Sequence, residues 1–398
     1  MKITNKIRVA FLTSHPIQYH TGWFRAIARE SALDLDVLYC HDSTPQEQAN
    51  AGFGVPFDWD RPLLGGYSHR FLNNVSTQPS TRTFSGLDTP ELRSVIQPER
   101  YDAVVINGWH YKSAWQGIRA CWRSKVPVLV RSDSHLMTAR HPIKKLLKAA
   151  PYRWFVPRLD ACLAVGHWSS DYFLHYGARS DRVFVVPHAV DPSFEADAVS
   201  LAPRRTEFRE AFGLKTDDTV FLFAGKFIEK KRPLDFVRAI QKAHEHNSEI
   251  AGLMVGDGPL RLTCERLARE SNLPIRFAGF LNQSEIVRAY VAADALVLPS
   301  DGGETWGVVV NEAMSCGRAC LVSDRVGSGP DLVVPGRTGF VFSLGDVDEL
   351  SARMIDCASD PDNLVAMGVN ARERVAGYSI PAAVQRLTDA VSAVLTSP

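Results

Sequence analysis

Short aliphatic runs alternate with helical patterns along nearly the whole chain, and this alternation constrains the fold more than any other feature. Parallel strands that are covered by helices on both faces read as near-continuous aliphatic runs. The runs cover residues 7–13, 33–39, 102–107, 126–131, 161–166 and 183–187, then 219–225, 251–256, 275–279, 295–300, 319–324 and 339–342. Two such series predict an α/β protein with two doubly wound domains.

The length of the chain also favours two domains, because 398 residues exceed what one ordinary core accommodates. The boundary is expected near residues 192–212, where the sequence after the sixth run reads as a linker. We therefore predict a first domain over 1–195 and a second over 196–378. A helix over about 379–398 is expected to pack back on the first domain. Residues 43–85, rich in small and polar residues, predict a long excursion with one strand.

Charge and cysteine content exclude several classes of protein. The net charge of +1 gives no strong field for nucleic acid, so no nucleic-acid partner is expected. The seven cysteines form no C-x-x-C pair and no zinc-like cluster, which predicts reduced thiols and no bound metal. The N-terminus is too polar for a signal peptide, and no apolar run reaches 18 residues. These features together predict a cytoplasmic protein.

Glycines and lysines follow the strands of the second series. Ligands of open parallel sheets bind beyond the carboxyl ends of the strands. Lysines suit phosphate oxygens, and glycines let the backbone approach a ligand closely. The residues in question are Gly225, Lys226, Lys230, Lys231, Gly256, Gly258, Gly279 and Phe280. Their positions predict a site for a ligand that carries phosphate.

The stretch D-G-G-E-T-W-G-V-V-V-N-E-A-M-S-C-G, residues 301–317, follows the next run and carries two carboxylates eight residues apart. A helix beginning near Thr305 would direct its first N–H groups at a phosphate. Eight helical residues rise about 12 Å, so Glu304 and Glu312 could flank a diphosphate and bind hydroxyl groups on either side. Each glutamate alone also fits a helix-start or a solvated helix residue. Beside the lysines, the pair indicates a nucleotide sugar.

The second half resembles the family-4 glycosyltransferases, which are retaining enzymes of the GT-B fold. The resemblance is strong over roughly 185–380 and architectural before that. It implies two Rossmann-like domains that face each other across a cleft, the first binding the acceptor and the second the donor. The matching motifs are V-V-P-H-A-V-D (185–191), G-K-F-I-E-K-K-R-P (225–233), V-G-D-G-P (255–259), I-R-F-A-G-F (275–280), E-T-W-G-V-V-V-N-E-A-M-S-C-G (304–317) and P-G-R-T-G-F-V-F (335–342).

The resemblance implies a role for each residue of the second half that matches a motif. Lys231 matches the lysine that binds the donor diphosphate, and Lys226 stands where the family usually has arginine. Glu304 matches the residue that holds hydroxyls of the transferred sugar, and Glu312 the residue that binds ribose. The remaining donor-site candidates are Gly225, Gly256, Gly258, Gly279, Phe280, Thr305, Trp306, Gly307 and Val308.

The first half departs further from the family. The loop S-H-P-I-Q-Y-H-T-G-W (14–23) stands where the family often has a Gly-Gly loop, and the strand at 126–131 leads into S-D-S-H where a histidine is expected. Asp133 and His135 are both candidates for contact with the transferred sugar. The stretch N-G-W-H-Y-K-S-A-W (107–115) is aromatic and suits stacking on sugars. The acceptor candidates are His15, Gln18, His20, Gly22, Trp109 and His110.

These motifs predict a retaining glycosyltransferase that uses a UDP-, GDP- or other nucleoside-diphosphate sugar and needs no metal or other cofactor. The sequence indicates no carboxylate as a covalent nucleophile. The resemblance implies front-face attack, in which the leaving phosphate accepts the acceptor's proton and Lys226, Lys231 and a helix N-terminus stabilise the departing diphosphate. The predicted acceptor is a hydroxyl of a glycan, a lipid-linked molecule or a small molecule, in polysaccharide or glycoconjugate synthesis. An epimerase, a phosphorylase and a non-catalytic binding protein are the alternatives. A dehydrogenase is disfavoured, because no G-x-G-x-x-G follows the first run.

Residues 140–158 form a basic segment with amphipathic and aromatic character. Such a helix can lie on an anionic membrane, which would place the protein peripherally at the inner membrane face. The segment also fits a surface helix that packs Ile143, Leu146 and Leu147 inward and leaves its lysines in solvent. The sequence leaves both interpretations open.

Overall fold

The computed structural model describes residues 6–42, 44, 57–138 and 142–396. The chain forms two compact units. The first comprises Met1–Ser43, Pro62–Ala189 and Ile380–Pro398, and the second comprises Thr44–Arg61 and Val190–Ser379. The predicted first domain, 1–195, differs from the first unit in two places. The chain enters the second unit at Val190 rather than at residue 196, and the segment Thr44–Arg61 also belongs to the second unit.

Each unit contains a parallel β-sheet. The sheet of the first unit has seven strands in the order β3-β2-β1-β4-β5-β6-β7, and that of the second has six in the order β10-β9-β8-β11-β12-β13. The strands are β1 Ile7–Thr13, β2 Leu33–Tyr39, β3 Ser68–Phe71, β4 Ala103–Asn107, β5 Val128–Ser132, β6 Ala161–Ala164, β7 Val183–Val185, β8 Thr219–Ala224, β9 Ile250–Val255, β10 Ile275–Gly279, β11 Ala295–Leu298, β12 Ala319–Ser323 and β13 Gly339–Phe342. Because all the strand pairs are parallel, the carboxyl ends of each sheet lie at one edge.

Helices connect the strands, as crossover connections between parallel strands require. The α-helices are α1 Gln18–Glu30, α2 Leu92–Val95, α3 Lys112–Ser124, α4 Pro142–Phe155, α5 His167–His175, α6 Ser193–Leu201, α7 Arg205–Ala211, α8 Pro233–His246, α9 Arg261–Glu270, α10 Ile286–Ala292, α11 Val308–Ser315, α12 Gly329–Leu332, α13 Val347–Ser359, α14 Pro361–Ala376 and α15 Ile380–Thr396. Short 3-10 helices cover Phe84–Gly86, Val156–Arg158, Ser180–Arg182, Ala202–Arg204 and Glu229–Lys231.

Both faces of the first sheet are buried, which explains its uninterrupted aliphatic strands. On one face Val9 and Phe11 of β1 pack in a layer with α1 and with Leu387 and Val391 of α15. On the other face Leu12 packs in a layer with residues of α2, α3 and α5. The last helix of the chain therefore completes the core of the first unit.

The segment expected to be a linker near residues 192–212 is helical instead. It forms α6 and α7, and Phe194 and Phe208 of these helices are buried. The buried guanidinium of Arg209 donates a hydrogen bond of 2.7 Å to the Asp294 carboxylate. The prediction of a linker was wrong because the apolar positions of this segment are sparse in a polar sequence. A buried ion pair and two phenylalanines are enough to fix it on the second unit.

Helix α4 presents an apolar stripe to solvent. Ile143, Leu147 and Trp154 are 61%, 71% and 52% exposed, and their spacing places them on one face of the helix. The opposite face holds Phe155, which is fully buried, and Lys148, whose ammonium lies 4.5 Å from the Tyr152 ring. The expectation that Ile143 and Leu147 pack inward was therefore wrong, because Lys148 and the aromatic side chains occupy the inner face. The side chain of Leu146, the third residue of that expectation, lies outside what the structure describes.

The composition predicted reduced thiols and no membrane-spanning helix. Every cysteine of the chain is free and buried. Among the described helices, none combines the length and the apolar character that crossing a bilayer demands. Residues 140 and 141 of the proposed membrane segment lie outside the described residues.

Candidate functional site

Three glycine turns bring the ends of β8, β9 and β10 into close contact. A Cβ atom on Gly256 would lie 2.0 Å from the carbonyl oxygen of Gly225, so only glycine fits this approach of two backbones. The Gly256 amide donates a hydrogen bond of 2.8 Å to the carbonyl of Gly279. Gly258 likewise faces the backbone of Phe227. The turns predicted from sequence thus form one continuous wall at the carboxyl edge.

Lys231 crosses the end of β8 and pairs with Glu304 beyond the end of β11. The Lys231 ammonium forms an ion pair with the Glu304 carboxylate, and each side chain is 11% exposed. The Ser300 hydroxyl donates a further hydrogen bond of 3.3 Å to that carboxylate. The lysine side chain packs against Gly225, whose Cβ position lies 3.6 Å from the Lys231 Cε atom, an ordinary van der Waals distance.

Glu304 is held in its ionised form. Burial alone would raise the pKa of its carboxyl, but the positive charges of Lys231 and Lys230 outweigh burial and hold the pKa below its ordinary value. The Lys230 ammonium donates to the carbonyl of Gly303 at 3.2 Å, which ties the lysine turn to the loop that carries Glu304. A negatively charged ligand can replace the carboxylate as the partner of these lysines.

For Lys226, burial and the neighbouring positive charges both disfavour the ionised form. Burial lowers the pKa of its ammonium to about 8, and repulsion from Lys230 and Lys231 contributes to the same shift. Three lysines gathered at one strand end repel each other and attract anions. This arrangement stabilises negative charge that arrives with a ligand or develops on a leaving group.

Glu312 lies on α11 and is 8% exposed. Its carboxylate accepts a hydrogen bond of 2.7 Å from the hydroxyl of Tyr290. Burial raises the pKa of Glu312, so this carboxyl is less readily ionised than that of Glu304. The two glutamates differ in their partners as well as in their positions, which supports separate roles for them.

The helix between the two glutamates begins later than predicted. It starts at Val308, and Gly307 before it has a φ of +91°, a left-handed conformation that favours glycine. Glu304 therefore lies in the preceding loop, and the estimate of eight helical residues between the carboxylates was wrong. The Gly327 amide donates to the Glu304 carbonyl at 3.1 Å. This contact joins the loop to the turn after β12.

Thr305 and Trp306 lie in that loop. Trp306 is a buried side chain whose indole N–H donates to Asn311 at 2.8 Å, so the indole ring belongs to the core of the second unit. Sequence reasoning missed three side chains near this edge: Tyr290, Phe57 and Trp59. Phe57 packs against Phe280 with ring centroids 4.3 Å apart.

The candidates of the first unit are spread over several strand ends. His15 and Gln18 lie in the loop after β1 and at the start of α1, and both are half-buried. His15 shares a hydrogen bond of 2.9 Å with the Ser14 hydroxyl. Gly22 lies inside α1 rather than in a loop, and His110 is exposed beyond β4.

His20 and Trp109 are core residues. The His20 ring packs against Phe11 and Phe24 with centroids 6.1 and 5.6 Å away, and burial lowers its pKa to about 3. The indole N–H of Trp109 donates to the Tyr152 hydroxyl at 2.8 Å, within an aromatic cluster. Their burial argues against the predicted contact of either side chain with an acceptor.

The end of β5 holds both candidates for the missing family histidine. Asp133 is half-buried, whereas His135 is buried beside Trp168 with ring centroids 5.4 Å apart. Arg131, which sequence reasoning missed, is a buried residue of β5 whose guanidinium lies 3.4 Å from His188 Nδ1. Burial lowers the pKa of Arg131 to about 10. The V-P-H motif at 186–188 was the available signal for His188.

In the part of the chain that the structure describes, no group of three His, Cys, Asp or Glu side chains could hold a metal ion. Charge at the second unit's edge is instead balanced between lysines and glutamates, as the Lys231–Glu304 pair illustrates.

Comparison with protein families matches both halves of the chain. The glycosyl transferases group 1 model matches residues 204–374, and the glycosyltransferase family 4 model matches residues 58–194. The chain belongs to the family-4, group 1 glycosyltransferases. The matched region of the second half contains the lysines, the glycine turns and both glutamates of the candidate site.

Curated relatives of this family match parts of the chain. Sulfoquinovosyl transferase SQD2 of Arabidopsis thaliana is 35% identical over 136 residues, which are 33% of this chain and 26% of that protein. N-acetyl-alpha-D-glucosaminyl L-malate synthase of Bacillus anthracis is 30% identical over 43% of this chain and 44% of its own length. D-inositol 3-phosphate glycosyltransferase 2 of Catenulispora acidiphila is 30% identical over 54% and 52%. The matches thus span about half or less of these relatives.

Solved structures match nearly the whole chain. A glycosyltransferase from Rickettsia africae has a TM-score of 0.75 at 16% identity and covers 99% of this chain and 100% of its own. The Anabaena protein HepE in complex with UDP has a TM-score of 0.73 at 16% identity, covering 97% and 99%. At this identity the likeness shows the fold. With the two parallel sheets, it confirms the predicted GT-B class of two Rossmann-like domains.

Proposed function

We propose that the protein transfers a sugar from a nucleoside-diphosphate sugar to a hydroxyl group of an acceptor. The observation that carries the proposal is the buried Lys231–Glu304 ion pair at the edge of the glycine wall. A diphosphate offers the lysine a new anionic partner, and the carboxylate released from the pair accepts hydrogen bonds from sugar hydroxyls. Structures of the similar HepE protein contain UDP and glucose, which supports a donor of this class.

Departure of the diphosphate is the step that these side chains assist. Negative charge develops on the leaving oxygens, and lysines placed beforehand in a partly buried site stabilise it. The Lys226 ammonium, with its pKa of about 8, can also share its proton with a departing phosphate oxygen through a hydrogen bond. The resemblance to the retaining family-4 enzymes is the basis for proposing retention. In front-face attack the leaving phosphate accepts the proton of the acceptor hydroxyl, and no carboxylate placed for covalent attack is needed.

A panel of nucleoside-diphosphate sugars tests the proposal. Binding by isothermal titration and slow hydrolysis are measured on wild type and on Glu304→Gln, with Glu245→Gln, an exposed glutamate of α8, as the matched control. One donor is expected to bind and hydrolyse, and Glu304→Gln alone is expected to lose hydrolysis. The transferase proposal fails if no member binds. Proton NMR of the product reports the anomeric configuration, and an inverted product contradicts retention.

Metal independence follows from the same lysines, which supply the positive charge that a divalent cation provides elsewhere. Turnover is therefore expected to survive dialysis against EDTA. Loss of turnover that manganese restores would contradict this part of the proposal.

The acceptor side includes contact with a membrane surface. The apolar stripe of α4, Ile143, Leu147 and Trp154, is exposed, and it lies in a stretch of sequence rich in lysine and arginine. Residues 103–159 contain eleven lysines and arginines and a single acidic residue, Asp133. An exposed apolar stripe beside basic residues is typical of helices that bind anionic lipid at the interface. This contact would bring a lipid-linked acceptor to the enzyme.

Vesicle co-sedimentation tests the membrane contact. Vesicles with anionic phosphatidylglycerol are expected to retain the protein at low salt, and vesicles of zwitterionic phosphatidylcholine are not. Leu147→Glu removes the apolar centre of the stripe and should abolish sedimentation. Leu262→Glu is the matched control, because Leu262 on α9 is 77% exposed and lies in the other unit. Absence of binding at low salt, or equal loss in both variants, contradicts the membrane contact.

A further inference from the structure

A short segment from the first half of the chain lies at the base end of the proposed donor site. Residues 57–61 belong to the second unit, although both flanking stretches of sheet belong to the first. The side-chain amide of Asn282 donates to the Asp58 carbonyl at 2.8 Å, and the Ser284 amide donates to the Asp60 carboxylate at 2.9 Å. Both contacts attach the segment to the loop after β10.

A second anchor holds the other end of this segment. The guanidinium of Arg61 forms an ion pair of 2.8 Å with Asp197 on α6 and also hydrogen-bonds Ser193. Because the segment is fixed at two places on the second unit, its side chains have defined positions there. Asp58 and Asp60 are exposed, while Phe57 and Trp59 are half-buried, the alternation expected of an extended segment with one face covered.

The two aromatic side chains continue the wall that Phe280 begins. The ring centroids of Phe57 and Phe280 are 4.3 Å apart with planes at 37°, and Trp59 meets Phe57 edge-on at 4.8 Å. Phe280 follows Gly279, whose carbonyl binds the Gly256 amide. The aromatic cluster of Phe57, Trp59 and Phe280 therefore adjoins the glycine wall at the end opposite Lys231 and Glu304.

The order of contacts across the sheet assigns a direction to a bound donor. From β11 to β10 the edge presents the Glu304–Lys231 pair, then Gly225 and Gly256, then the aromatic cluster. Sugar and diphosphate at the charged end leave the nucleobase at the aromatic end. A base cannot insert between Phe57 and Phe280, because two stacking distances add to about 7 Å and the rings are 4.3 Å apart. A base bound at this end would therefore stack on the cluster elsewhere than between these two rings.

We propose that Phe57 and Trp59, together with Phe280, form the surface on which the donor nucleobase stacks, so that a segment outside the family's second-half motifs contributes to nucleotide affinity. This inference rests on the proposed function. Stacking is sensitive to loss of a ring and tolerant of base identity, since every base offers an aromatic face. Phe57 and Trp59 are accordingly binding residues for the nucleoside, with no part in the chemistry at the sugar.

Isothermal titration with UDP, GDP and inorganic pyrophosphate tests the inference. Phe57→Ala and Trp59→Ala are expected to weaken the nucleotide that the wild type binds by about tenfold. Pyrophosphate lacks a base, so its affinity should be unchanged in both variants. Phe84→Ala is the matched control, because Phe84 is an exposed aromatic of the first unit. Phe57→Leu, which keeps apolar bulk without a ring, repeats the test with less risk to folding.

The outcomes separate the inference from the proposed function. Unchanged nucleotide affinity in Phe57→Ala, Phe57→Leu and Trp59→Ala overturns the inference and leaves the transferase proposal intact. Equal weakening of nucleotide and pyrophosphate also overturns it, since the variants then disturb the charged end. If the wild type binds no nucleotide at all, the proposed function fails and the inference fails with it.

Discussion

The carboxyl edges of the two sheets both gather charged side chains, but they manage charge in opposite ways. In the second unit Lys231 and Glu304 pair directly in a partly buried site, and the lysines hold the pKa of the Glu304 carboxyl below its ordinary value. In the first unit burial lowers the pKa of His20 and His188 and keeps their rings neutral. One edge is prepared to exchange an internal anion for a ligand anion, and the other combines neutral histidines with the buried cation of Arg131. A charged donor and a hydroxyl acceptor suit this division.

Removing the lysine of the ion pair should give the largest effect and tests the charged edge directly. Lys231→Ala is expected to lower turnover of the donor found in the panel by about 100- to 1000-fold, because a preorganised charge at the leaving group is lost. Steady-state hydrolysis or transfer rates measure the loss. Lys231→Arg keeps the charge and should recover part of it.

Lys242→Ala is the matched control for that change. Its ammonium pairs with Asp348 on an exposed surface, where ion pairs contribute little to stability. Turnover of Lys231→Ala within threefold of wild type would remove the charged edge from the mechanism.

The contrast also explains what the sequence could predict. The strand runs are aliphatic stretches that favour one interpretation, and the structure confirms strands at all of them. β3 confirms the one strand expected within residues 43–85. The motifs of the second unit lie at successive strand ends, so their proximity follows from parallel topology. The start of α11 could not be placed, because the left-handed conformation of Gly307 interrupts a stretch with helical composition.

Residues of the first unit were harder to assign, for physical reasons. His20 and Trp109 carry polar atoms that suit a ligand site, and the packing that buries them against distant aromatic rings is not encoded in local spacing. The contact of Phe57 with Phe280 joins positions more than two hundred residues apart. No periodicity in either segment indicates it. Local patterns predict elements and strand ends, while such pairings depend on the completed fold.

Because His20 is buried in its neutral form, the stability of the first unit should depend on pH. The His20 pKa is lowered to about 3 by burial and by nearby Arg131 and His15, so the unfolded chain binds a proton that the folded chain does not between pH 6.5 and 3. Stability is therefore present above pH 6.5 and lost as the pH falls. The free energy of unfolding, measured with urea at pH 6.5 and pH 4.5, should fall by about 2 kcal/mol less in His20→Phe than in the wild type.

His175→Gln controls for histidine titration in general, because His175 is exposed on α5. Its stability should fall with pH in parallel with wild type. If His20→Phe also falls in parallel, His20 ionises freely in the folded state and the assignment to the core is wrong.

Removing the charge of Glu312, the carboxylate assigned to ribose, should have a smaller effect. Glu312→Gln keeps the size of the side chain and its contact with Tyr290, and it removes the charge that accepts hydroxyl hydrogen bonds. Nucleotide affinity should fall about tenfold with pyrophosphate affinity unchanged. Glu245→Gln serves again as the exposed control. Equal loss for pyrophosphate would mean that Glu312 acts on the lysines rather than on ribose.

The smallest effect concerns Lys226 and its depressed pKa. Burial places this pKa at about 8, so the ammonium loses its proton as the pH rises from 7.5 to 9, whereas arginine stays charged. Pyrophosphate affinity of the wild type should therefore fall about fivefold over this range, and that of Lys226→Arg should fall less. Titrations at pH 7.5, 8.2 and 9 measure both slopes. Identical slopes would show that the ionisation of Lys226 does not affect binding of the anion.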